Sequence, residues 1–153
     1  MTLQEMNEAV NIQKALERLY ETVDSLRARA TPGAVRLDGM PRGNGYRDAV
    51  GEYAVEIADL TAEISRLEDA LELAQDRNEA FIETIPEAKA RTIMRLRFVR
   101  CMTWEEVAYT MGPYYTTDGV QRPVYKVLKK RETAHVQHIR ENQRETEDQY
   151  TKN

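Results

Sequence analysis

Arg122, Lys126 and Lys129 stand at i, i+4 and i+7, with Lys130 beside them. On a helix that spacing gathers the cations along one face. A row of fixed positive charge is the natural counterpart of a duplex carrying one phosphate per ~1.7 Å of axis. Val120, Val124 and Val127 keep the same spacing two residues earlier, flanked by Leu128, and form the buried stripe of that helix. Thr116, Thr117 and Gln121 fall at its start, where short polar side chains suit phosphate or base-edge contacts. Arg100 adds a cation upstream.

Other reactive residue types point to structure. His135 and His138 are one helical turn apart but have no third ligand nearby, so no metal site is expected. Cys101 is the single cysteine, which excludes an internal disulfide framework and reads as a small buried side chain. The Glu105-Glu106 pair is explained by a helix start. With no nucleophile–base pair and no phosphate-cradling glycine loop, neither an enzyme nor a cofactor is expected.

The elements that must position the cationic face are legible from turn and cap signals. Pro86 suits the first position of a helix running to about Arg100. Thr103-Trp104-Glu105-Glu106 is a capping box that opens a short helix ending at Met111, with Gly112 at a left-handed cap. Trp104 is expected to pack between helices. Pro113-Tyr114-Tyr115-Thr116 makes a turn, and another helix begins near Thr117. Pro123 lies inside that helix, so the helix either starts later, near Arg122, or is kinked. The order of scaffold helix, capped helix, glycine turn and basic helix is that of a helix-turn-helix over residues 86–131.

At these residues the chain resembles a known family. Ile93-Met94-Arg95-Leu96-Arg97-Phe98-Val99, then Met102-Thr103-Trp104-Glu105-Glu106-Val107-Ala108 and Met111-Gly112, are similar to region 4 of bacterial sigma-70-type factors. The likeness is greatest to small phage and prophage proteins that place a coiled-coil hairpin before the helix-turn-helix. Thr117-Asp118-Gly119-Val120-Gln121-Arg122 and Leu128-Lys129-Lys130 resemble their third helix. The resemblance implies DNA binding through that helix in a regulator of phage gene expression. In true sigma factors this region also touches RNA polymerase, a further possible partner. The N-terminal half is coiled coil and not region 2-like, so a complete promoter-melting sigma factor is not expected.

That N-terminal half is built differently. Glycine and proline are missing from Met1 to Thr31 and from Glu52 to Ile85, and only helices run so far without them. Ile12, Leu16, Leu19, Val23, Leu26 and Ala30 line one face of a first helix, about Leu3 to Ala30. A glycine-rich loop over 31–47 follows. A second helix, from about Asp48 to Thr84, carries a heptad seam with Val50, Ile57, Ile64, Leu71, Asn78 and Ile85 at a. Tyr53, Leu60, Leu67, Ala74 and Phe81 stand at d. Ile57, Leu60, Ile64, Leu67, Leu71 and Asn78 are the expected dimerisation residues, Asn78 fixing register. The same seams allow the two helices to fold back antiparallel on each other; a hairpin that also pairs with a second chain is expected, against a monomeric hairpin.

The fold expected is therefore all-α: a helical hairpin or coiled coil (1–85), a helix-turn-helix (86–131) and a polar helical tail (132–153) that frays after two or three turns. Composition agrees. In 153 residues, 31% are charged and 41% apolar, which suits elongated helices better than one thick core. The net charge of −4 conceals a division: residues 1–90 carry 10 basic and 18 acidic side chains. Residues 91–131 carry nine basic against three acidic, a net of +6, and the remainder has a net of −2. No membrane span and no secretory signal are visible, so the cytoplasm of a bacterial host cell is the expected compartment.

The leading expectation is a homodimeric regulator of double-stranded DNA. The alternatives are a small terminase-like DNA-packaging subunit, which would form rings of many chains, and a protein-interaction module gripping RNA polymerase or a host factor.

Overall fold

The computed structural model describes residues 1–30 and 51–134 in full, and only the helical backbone at 49–50 and 135–150. The loop expected over 31–47, and the side chains of Val50, His135, Val136, His138 and Ile139, lie outside the described residues. Among those described there are five α-helices and no strand. They are α1 (Leu3–Ala30), α2 (Ala49–Glu83), α3 (Ala88–Met94), α4 (Trp104–Met111) and α5 (Thr117–Tyr150). One π-helical turn, Arg95–Val99, continues α3. No described helix is long and apolar enough to cross a membrane.

Local chemistry sets the helix ends. Thr2 and Glu5 form a capping pair at α1: the Thr2 amide donates to the Glu5 carboxylate at 2.6 Å, and the Glu5 amide to Thr2 Oγ1 at 3.2 Å. At α3 the proline is two positions earlier than expected. Glu87 is the N-cap, without a side-chain bond, and Pro86 precedes it.

The chain forms two compact units, Asn11–Leu73 and Met1–Val10 with Ala74–Asn153. In the first, Leu16, Val23 and Ile64 are buried, with Ile12, Leu19, Ile57, Leu60, Leu67 and Leu71 packed around them. The Tyr20 hydroxyl donates to the Glu68 carboxylate between the same two helices. Five of the six expected dimerisation residues thus pack on α1 of their own chain, the hairpin half of the expectation. The reason is area: two amphipathic helices in one chain cover each other's stripe without any cost of association.

The second unit runs across residues 85/86. Its core joins Met6 and Val10 of α1 and Ile82 of α2 to Ile85, Ile93, Met94, Phe98, Val107, Val120 and Val124. The start of α1 and the end of α2 therefore share one core with α3, α4 and α5.

Asn78, the sixth expected dimerisation residue, shows how. It is fully buried, and its Nδ2 donates to the Phe98 carbonyl at 2.9 Å and the Met6 carbonyl at 3.1 Å. Gln75, three residues earlier on α2, donates from Nε2 to the Val99 carbonyl at 2.8 Å. These are the last carbonyls of the π turn, which helix geometry leaves without a donor. Within the chain Asn78 thus acts as a cap for another element, where its heptad position suggested a register device in a dimer.

The two roles differ in the sign of a mutation. An Asn at a lowers coiled-coil stability, so isoleucine there would stabilise a dimer. In this core Asn78→Ile strands a buried carbonyl and is expected to cost about 1–3 kcal/mol. Denaturant unfolding checks it; a more stable Asn78→Ile chain would restore the dimer role.

Candidate nucleic-acid interface

The interface is built on α4, the turn and α5. The π turn ends in a backbone reversal at Cys101, whose φ of 55° is left-handed, while the Met102 amide donates back to the Leu96 carbonyl at 3.1 Å. That bond spans one residue more than the six-to-one closure of a Schellman motif, as suits the end of a π turn, and cysteine takes the left-handed position where glycine is usual. Cys101 is half-buried beneath it.

Thr103 then caps α4 as its sequence indicates. The Glu106 amide donates to Thr103 Oγ1 at 3.2 Å, and the Thr103 amide to the Glu106 carboxylate at 2.7 Å. Those bonds, the backbone one first, hold the Glu106 carboxyl below the usual glutamate range. Gly112 ends α4 with φ 119° and ψ 173°. This is not the left-handed cap expected but an extended conformation essentially confined to glycine.

Thr116 opens α5 as its N-cap. Its Oγ1 accepts from the Gly119 amide at 3.1 Å, and its carbonyl accepts the first helical bond, from the Val120 amide at 3.1 Å. The helix therefore starts at Thr117, not near Arg122, and runs through Pro123. The proline removes the bond to the Gly119 carbonyl, and it is a glycine, the least restricted residue, that stands four places before it.

Buried Val120, Val124, Val127 and Leu128 turn the other side of α5 to solvent. Arg122, Lys126, Lys129 and Lys130 are all exposed there, their side chains making no hydrogen bond or ion pair to any described residue. Thr117 and Gln121 are half-buried at the start of the helix, and Thr116 is exposed. Arg100 is exposed on a different element, as the C-cap of the π turn.

The other four cations of 91–131 serve the fold. Arg91 donates to the carbonyls of Ile85 at 2.7 Å and Pro86 at 3.2 Å. Arg131 donates to the Thr84 carbonyl at 2.5 Å, so α5 and α3 supply the cations that α2 lacks in its own last turn. Arg95 binds Glu79 at 2.6 Å and also pairs with Glu83. Arg97 donates to the Met102 carbonyl at 2.6 Å and lies 5.3 Å from the Trp104 ring centre. Burial lowers the pKa of its guanidinium, opposed by Cys101, Tyr125 and Glu105. Five free cations remain from nine.

Tyr125 belongs to the free face and went unnoticed in the sequence. It is 43% exposed, and its ring centre is 6.4 Å from that of Trp104. Trp104 in turn meets Phe98 edge-on at 6.0 Å, which is the interhelical packing expected of it. The signal was the spacing: Tyr125 is three residues after Arg122 and four before Lys129.

Two outcomes follow for stability. Thr103→Ala is expected to cost about 1 kcal/mol through the lost cap. The cap's carboxylate contribution is present above the unfolded glutamate pKa and is lost as pH falls through the lowered folded value. Glu106→Gln should flatten that acid limb in pH-dependent unfolding. At Gly112 an added Cβ meets no atom within 4 Å, so Gly112→Ala should cost about 1–3 kcal/mol from backbone strain alone.

Comparison of the chain with known protein families, with curated proteins and with solved structures finds no match.

Proposed function

We propose that the chain is a sequence-specific binder of double-stranded DNA, a phage-type transcriptional regulator that lays the exposed face of α5 in the major groove. The observation that carries this reading is the row Arg122, Lys126, Lys129 and Lys130, exposed and with no side-chain partner among the described residues. Phosphates would take these cations, while Thr116, Thr117 and Gln121 lie near base edges at the N-terminal end of the helix. The resemblance to sigma region 4 supports the same helix and brings RNA polymerase in as a possible further partner. The reading involves no catalytic step.

One module of this size buries only ~600–1,000 Å² on DNA, so two copies on half-sites about 34 Å apart belong to the proposal. The heptad seam packs within the hairpin, and pairing would use the outward side of α2, where Val55 and Leu73 are 64% and 71% exposed.

Selection of bound duplexes from a random pool, followed by a salt titration, tests the proposal. Four phosphate contacts give a slope of about −3.6 in log K against log salt, and Lys126→Ala should reduce it by about 0.9. Trp104, the chain's one tryptophan, reports docking through its neighbour Tyr125. Affinity indifferent to salt, or no enriched duplex, would sink the reading. A mass of eight or more chains would turn it toward DNA packaging.

A further inference from the structure

The helix-turn-helix has a second face of opposite charge. Of the three acidic residues in 91–131, two stand exposed on α4, Glu105 and Glu106. Glu106 is held in the Thr103 cap, whereas the Glu105 carboxylate accepts no hydrogen bond and closes no ion pair among the described residues. One helical turn further is Tyr109, 90% exposed.

Glu105 and Tyr109 line two neighbouring grooves together. One runs past Gly112 and Pro113 to Thr116 and Thr117; the other is walled by Met102, Glu106 and Thr110. Tyr114, 95% exposed, stands in the turn beyond. An exposed ring face with an unpaired carboxylate one turn away matches a guanidinium: the ring takes its flat face and the carboxylate takes its N–H donors. A phosphate backbone is disfavoured at this face by both carboxylates.

We infer that the outer face of α4 docks an arginine-bearing, net-basic segment of a partner protein, with Glu105 and Tyr109 as its two contacts. The inference stands on α4 alone and does not require α5 to bind DNA. It assigns the outer face of α4 and the cationic face of α5 to different partners, with Thr116 and Thr117 at the border between them.

The test uses the full chain and a fluorescent octapeptide alternating glycine and arginine, with a lysine version as comparison. Glu105→Gln and Tyr109→Ala should each weaken binding of the arginine peptide about three- to fivefold. Tyr109→Phe, which keeps the ring, should bind as the unaltered chain does, and the lysine peptide should bind more weakly. Both sites are exposed, so the fold tolerates the changes. Lys126→Glu, which tests the DNA reading, should leave peptide affinity undiminished. No peptide binding, or binding insensitive to both α4 substitutions and so resident on the acidic hairpin, would overturn the assignment. Equal loss of DNA affinity in Tyr109→Ala would make Tyr109 a DNA contact instead.

Discussion

The carbonyls of Phe98 and Val99 impose the constraint on which the packing of α3, α4 and α5 depends. They close a π turn, where the chain leaves the helix and no backbone donor follows, and Phe98 is fully buried. A buried carbonyl without a partner costs on the order of 1–3 kcal/mol, a large part of a small domain's stability. Asn78 and Gln75 supply the missing donors from α2. Because those amides must be brought there, the end of α2 and the start of α1 belong to the same compact unit as α4 and α5. The reversal at Cys101 and the Thr103 cap then fix the departure of α4, and with it the start of α5.

Periodicity and caps made most of the elements legible: α1, α2 and α4 end within a residue or so of where turn signals place them. What periodicity cannot supply is the identity of the partner across a seam. Ile57 to Leu71 read equally well toward a second chain or toward α1, and the fold chooses α1. Asn78 misled for the same reason. Its place at a suggested a register device, while its donors answer carbonyls 20 and 72 residues away in sequence. Thr116 shows the local limit: a polar residue before a helix reads as ligand contact or as cap, and its bond to the Gly119 amide makes it a cap.

Segment charge was legible in amount but not in availability. All four cations engaged by the fold, Arg91, Arg95, Arg97 and Arg131, are arginines, and the three lysines of 91–131 are all free. The division has a physical cause. A planar guanidinium with five donors can hold two acceptors, or one acceptor and a ring, at fixed angles. An ammonium is a strongly hydrated point charge and loses more on being fixed. Residue type therefore refines a count of charges: within a basic helical segment, the lysines mark solvent and the arginines need a structure to sort them.

That sorting explains why a chain of net charge −4 can present two faces of opposite sign on adjacent helices. Internal pairing withdraws Arg95 onto Glu79 and Glu83, and Arg97 onto a carbonyl and Trp104. With those guanidiniums withdrawn, the outer side of α4 is left to Glu105 and Tyr109, and the outer side of α5 to Arg122, Lys126, Lys129 and Lys130. The fields stay distinct because the charges are exposed: beyond about 8–10 Å at physiological salt each face is screened from the other. The interior arginine network, rather than the surface sequence alone, determines what each helix offers to a partner.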